Sequence, residues 1–366
     1  MMRDIWLFSK KVDLLVMGLP VWFCWAICFL LPEEIMNQSL PLWAWVIIVL
    51  GIDVSHVWST IFRTYFDRDE RENHSQLFKI APLSAFVLCF AVAWYSSDLF
   101  WRILAYLALY HFIKQQYGFM QLYRGRYGRT EIKKIFSDKF VIYLSMIFPV
   151  IYWHINYDRA FSWFIEGDFI SLNVDFIDNY LQTINIIGTS VYFGIIVYWL
   201  LEEVMIHRSN KLSYPLGKWI WVLTTAFNWY LGVIYFNSDI AFSITNVVAH
   251  GIPYFVLMYY YVLRKRVLSN GLSVPASGWK IIAIMITVVL LFAITEEYLW
   301  DMLLYVENHQ FFEFFFDFPF APVQSTLAQA LVLALLSLPQ VTHYILDGFI
   351  WKVNDKNPFI KPTLIN

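Results

Sequence analysis

Charge is scarce in this chain. Only 15% of its 366 residues are Asp, Glu, Lys or Arg, against about a quarter in an ordinary soluble domain, and that argues against a water-exposed globule. Cysteine is scarce as well. Cys24, Cys28 and Cys89 all lie in apolar segments, which argues against a disulfide framework and a CxxC metal site. There is no basic tail and no nucleic-acid motif, so nucleic acid is not an expected partner. No flavin or nicotinamide fingerprint occurs, so any electrons must come from an external donor. No soluble domain, internal repeat or low-complexity linker is legible. Residues 1–11 do not read as a cleavable signal, because the first apolar run is long enough to span, lacks an A-x-A-like site and precedes many others.

What is abundant is apolar. Hydrophobic residues make up 59% of the chain and aromatic ones 20%. The mean hydropathy is +0.55. A membrane crossing takes about 20 apolar residues, and aromatic side chains anchor both interfaces. The pattern predicts an all-α polytopic bundle forming one transmembrane domain over 1–366. Ten spans are expected at 12–32, 41–62, 80–96, 99–120, 139–157, 182–204, 217–236, 239–263, 279–298 and 325–351. Of the 26 Lys and Arg residues, 23 fall in 1–11, 63–79, 121–139, 205–218, 264–280 and 352–366, while the intervening loops are acidic. Basic residues mark the cytoplasmic side, so both termini are expected there, in a multi-pass protein of the bacterial inner membrane. Two outer segments are long, 158–181 and 299–324, and the Phe-rich run 311–316 reads as interfacial.

Histidine placement is the informative feature. His74, His154, His207 and His309 lie in loops or at span ends and are expected to be solvated or interfacial. His56, His111, His250 and His343 lie inside even-numbered spans, 7 to 14 residues before the first clearly cytoplasmic basic residue (Arg63, Arg124, Arg264 and Lys352). At about 1.5 Å per residue, these four share one layer in the cytoplasmic half. Each has a polar neighbour one turn away on its own helix: Asp53 for His56, Gln115 for His111, Asn246 for His250 and Asp347 for His343. Such a neighbour can bind the same metal or take the other ring N–H. Ionisable side chains in a bilayer are costly and mark functional sites. A lone intramembrane histidine is commonly a helix–helix hydrogen-bond partner, but four in one layer with partners fit a metal site better. Pro339 before His343, and Gly251 and Pro253 after His250, are expected to disturb the helices there.

The donor types narrow the metal. Imidazole suits Zn, Cu, Fe and Ni, and the expected cofactor is a transition metal, with iron preferred and zinc the alternative. The expected ligands are His56, His111, His250 and His343, with Asp53 and Asp347 as ligands or orienters. Gln115 and Asn246 would orient them or touch substrate. Arg63 and Arg124, at a mouth rich in Arg and Tyr, would meet a substrate headgroup or anchor the spans.

The pattern departs from membrane desaturases, which carry repeated HxxxH and HxxHH boxes, and from seven-span zinc hydrolases of the ceramidase type. His250-Gly251 with Tyr254, after Asn228, is similar in part to membrane-bound O-acyltransferases, but the spacing departs. The placement of His56, His111, His250 and His343 on separate helices resembles, at the level of class, the Brp/Blh carotenoid dioxygenases. That resemblance covers those four positions alone, with no shared motif. It implies iron held between helices and oxidative chemistry. The expected function is therefore a membrane-embedded iron oxidoreductase or oxygenase acting on a lipid or isoprenoid-like molecule. The alternatives are a metal- or proton-coupled transporter using Asp53, His111 and His343, and a zinc-dependent hydrolase or acyltransferase.

Overall fold

In hydrocarbon the backbone N–H and C=O groups have only each other as partners, which makes the helix the form for each apolar run. The computed structural model describes residues 5–128, 134–156, 158–270, 274–315 and 321–365, and those residues are all-helical with no strand. The longer helices are α1 (Val12–Leu30) and α2 (Leu42–Arg63); α3 (Leu77–Tyr95), α4 (Ser97–Tyr127), α5 (Asp138–Ile155) and α6 (Asp175–Ser209); and α7 (Leu216–Trp229), α8 (Asp239–Asn270), α9 (Val274–Trp300), α10 (Thr326–Leu336) and α11 (Leu338–Ile350). A helix occupies the body of each of the ten expected segments.

Six of these helices are long and apolar enough to cross a membrane: α1, α2, α3, α6, α8 and α9. The number rises to seven if α10 and α11, bent by 42° at their junction, form one span. The chain thus has the helices of a multi-pass membrane protein. The remaining expected spans carry more polar side chains, such as Arg102 and Lys114 in α4, Asp138 in α5 and Lys218 in α7. Arg3, Arg129, Lys133 and Phe316 lie outside the described residues.

Several helices depart from the regular 3.6-residue turn. In α2 the stretch Val46–Val54 is π-helical, Ser55–Ser59 is α-helical and Thr60–Arg63 is a 3-10 turn. Wide π turns recur at functional sites, and here one ends just before His56.

The chain packs as two compact units, Met1–Ser39 with Leu109–His250 and Leu364–Asn366, and Leu40–Ala108 with Gly251–Thr363. In the first unit, α5, α6 and α7 are tied by a buried charge cluster. Lys218 Nζ lies 3.1 Å from Asp138 and 2.7 Å from Glu203, and Lys134 pairs with both acids. The indole N–H groups of Trp199 and Trp219 donate to Asp138 and Glu203. In the second unit α3 packs against α10 and α11, while Ile80, Leu83, Val87 and Leu88 on its other side are exposed, as suits a face turned to lipid.

Pro82, Pro149 and Pro253 each stand inside a helix and free the carbonyl four residues earlier. A side chain from another segment takes up each freed carbonyl. Tyr65 donates its hydroxyl to Phe78 O at 3.0 Å, below Pro82. Tyr192 donates to Ser145 O at 3.1 Å, below Pro149. Gln116 donates to Ala249 O at 3.2 Å, below Pro253. With that carbonyl satisfied, α8 continues unbroken past His250. Pro339 sits at the start of α11, just after the bend at Ser337, one turn before His343.

Candidate metal centre

The second unit brings His56 of α2 and His343 of α11 together. Their rings stand edge to face with centroids 5.3 Å apart. The carboxylates one turn away lie where their spacing places them: Asp53 Oδ1 is 3.5 Å from His56 Nδ1, and Asp347 Oδ1 is 3.8 Å from His343 Nδ1. A hydrogen-bonded chain continues from His343. Its Nδ1 is 2.7 Å from Thr60 Oγ1, which is 3.0 Å from the Tyr254 hydroxyl. Tyr254 donates to Asp347 at 2.7 Å, and Trp351 donates to the same oxygen at 3.2 Å. The 3-10 turn that ends α2 carries Thr60 into this chain.

The first unit brings His111 of α4 and His250 of α8 together, with ring centroids 5.0 Å apart. Phe112 lies flat against His250 at 3.6 Å, and Trp163 meets Phe112 edge-on at 5.0 Å. Trp163 belongs to a turn held by Asp168, whose carboxylate accepts the backbone N–H groups of Trp163, Phe164 and Ile165. Burial pushes the Asp168 carboxyl above its usual range, and those backbone donors partly offset it. Gln115, expected beside His111, donates instead to the backbone carbonyl of His250 at 2.8 Å. Asn246 turns back on its own helix and donates to Phe242 O at 2.9 Å.

Each of the four histidines is buried, 4% exposed or less. Within each unit two imidazoles stand side by side, His56 with His343 in the second and His111 with His250 in the first. Imidazole nitrogens are metal ligands, so each buried pair is compatible with a metal site.

Close approach at the site depends on a missing side chain. A Cβ on Gly251 would lie 2.6 Å from Ile52 Cγ2, 3.2 Å from Ile52 O and 3.6 Å from His56 Cβ. Gly251→Ala is expected to push α2 away beside His56, costing about 1–3 kcal/mol as overpacking does and lowering metal content. Elemental analysis and thermal unfolding of the purified variant check this. Unchanged metal content and melting would refute the steric account.

Other expected site residues lie in ion pairs. Arg63 is fully buried, with its guanidinium 4.0 Å and 4.2 Å from the ring centroids of Tyr261 and Trp351 and 3.9 Å from Glu70. Arg124 Nε lies 3.5 Å from Asp138. His74 and His207, expected at the surface, are buried against acids one turn earlier, Glu70 at 3.4 Å and Glu203 at 4.0 Å.

Sequence reasoning missed Thr60, whose role is tertiary, and undervalued Tyr254. It also missed Glu296 and Glu297, although two adjacent acids in an otherwise apolar run were a readable signal. Glu296 accepts the Trp58 indole N–H at 2.6 Å, and Trp58 stacks on Phe292 at 4.5 Å.

A cleft of about 210 Å³ reaches His343 within the second unit. Its walls include Trp58, Thr60, Pro82, Pro339, Thr342 and Leu346. No family model, curated protein or solved structure matches the chain, so the geometry of the site carries the functional argument.

Proposed function

We propose that this protein is a membrane-embedded metalloenzyme, a non-haem iron oxidoreductase or oxygenase acting on a lipid or isoprenoid-like substrate. The observation that carries the reading is the burial of four histidines in two close pairs, His56 with His343 and His111 with His250. His56, His111, His250 and His343 would hold the ion. Bound iron would supply one-electron chemistry with dioxygen, the electrons arriving from an external donor. Thr60, at 2.7 Å from Nδ1, fixes the ring of His343, and Asp53, 3.5 Å from His56 Nδ1, would orient that ring once it turns to an ion. Gln115 positions the backbone that carries His250. Iron is favoured over zinc by the apolar walls of the cleft at His343, which suit oxidation of a hydrocarbon better than hydrolysis. The charge distribution supports ten spans with both termini in the cytoplasm, in a bacterial inner membrane, with the four histidines toward the cytoplasmic side.

Elemental mass spectrometry on protein purified in mild detergent without chelator tests this. Stoichiometric iron supports the reading, whereas stoichiometric zinc moves it to a hydrolase. Absence of metal moves it to a second reading, a proton- or metal-coupled transporter. That reading is favoured by Glu296 and Glu297 in α9, in the same unit as Asp53 and His56. Flux in proteoliposomes, abolished by His343→Ala, would establish it.

A further inference from the structure

Among the polar side chains that line the otherwise apolar cleft at His343, one stands apart. A threonine hydroxyl in an apolar helix ordinarily donates to the carbonyl one turn earlier. Thr64, Thr225, Thr245, Thr295 and Thr363 all do so here, at 2.6 to 2.9 Å. Thr342 does not. It lines the cleft, it is 7% exposed, and its hydroxyl has no hydrogen-bond partner among the described residues. A buried hydroxyl left unpaired is unfavourable, and Thr342 is the residue just before His343.

The size of the cleft limits what enters it. Ordinary small-molecule sites hold roughly 300–1,000 Å³, and this one holds about 210 Å³. It therefore suits the end of a chain, with the remainder lying outside. Pro82 contributes to the wall from α3, the helix whose Ile80, Leu83 and Val87 are exposed, so the remainder would lie in lipid.

We infer that this cleft binds the end of a long hydrocarbon chain bearing one terminal oxygen, an alcohol or aldehyde, with that oxygen hydrogen-bonded to Thr342 and the adjoining carbon presented beside His343. The inference rests on the metalloenzyme reading for the chemistry that follows, but binding itself does not require the metal.

The test uses the full chain in lipid nanodiscs with three diazirine-bearing probes, hexadecanol, hexadecanal and hexadecane. Crosslinked residues are mapped by mass spectrometry, and bound metal is measured on the same samples. The oxygenated probes should label the cleft walls about five- to tenfold more than the alkane, the value of one hydrogen bond. Thr342→Val should reduce their labelling to the alkane level, and Thr342→Ser should restore it, with metal content unchanged. Labelling by alcohol but not aldehyde, or the reverse, identifies the oxygen the cleft accepts. Equal labelling by alkane and oxygenated probes overturns the inference. So does labelling that Thr342→Val leaves unchanged, or no labelling of the cleft walls by any probe. Labelling as expected in protein without metal leaves the inference standing and removes the metalloenzyme reading. Metal without labelling does the opposite.

Discussion

Under the proposed assignment, alanine in place of either His111 or His343 will leave the purified protein without bound metal. Outer partners of metal ligands change affinity by about 10–100-fold when removed, and loss of a ligand should exceed that. The two residues sit on helices far apart in the chain, α4 and α11, and each pairs with a different second histidine, at ring separations of 5.0 Å and 5.3 Å. Loss of metal in both variants would tie the two pairs to one ion. Asp53→Asn and Asp347→Asn should fall in the milder 10–100-fold range, because these carboxylates face ring nitrogens at 3.5 Å and 3.8 Å. The readout is metal per chain after dialysis against graded chelator, with the variants shown to be folded by circular dichroism. Full metal content in either alanine variant would sink the four-histidine assignment.

Arg63→Met will destabilise the protein by about 3–5 kcal/mol, the range for removing one partner of a buried ion pair. Arg63 and Glu70 are both fully buried, so the stranded charge would lie away from solvent. Glu70 also accepts the Tyr261 hydroxyl at 2.8 Å, and the Arg63 guanidinium lies against the Tyr261 and Trp351 rings. The double variant Arg63→Met with Glu70→Gln removes both charges and keeps an acceptor for Tyr261. It should recover most of the loss. Thermal unfolding in detergent reads all three variants against the parent. A double variant as unstable as Arg63→Met would show that lost ring packing, not stranded charge, sets the effect. Because Trp351 also donates to Asp347, a modest fall in metal affinity should accompany the single variant.

The helical class and the four central histidines were legible because a membrane interior permits few meanings for an ionisable residue in an apolar helix. Asp53 and Asp347 were legible for a geometric reason, since residues three or four apart share a helix face. Gln115 and Asn246 have the same spacing but turn to backbone carbonyls, because an amide in an apolar setting takes whichever acceptor is nearest. Spacing along one helix cannot reveal that choice. Thr60 and Phe112 were hidden because their roles depend on neighbours remote in sequence. His74 and His207 looked like surface residues because the sequence alone does not show that Glu70 and Glu203 are themselves buried. The number of crossings is the other gap. Helices such as α4 and α7 trade apolarity for the polar residues they direct inward, such as Gln115, Gln116 and Asn228.

The side chains that take up the proline-freed carbonyls bear on how the protein is made. Tyr65 precedes Pro82 by a short stretch of chain, so that carbonyl finds its donor as soon as the two segments have emerged from the ribosome. Pro149 must wait, because Tyr192 belongs to the next helix. Until α6 is synthesised, Ser145 O lacks the donor that Tyr192 brings. For Pro253 the donor already exists, since Gln116 stands on a helix made much earlier. The later helix can therefore dock on arrival, bringing His250 to a partner that is already in place. α5 thus depends on the helix made after it for a full set of backbone hydrogen bonds, whereas α8 meets a donor made before it.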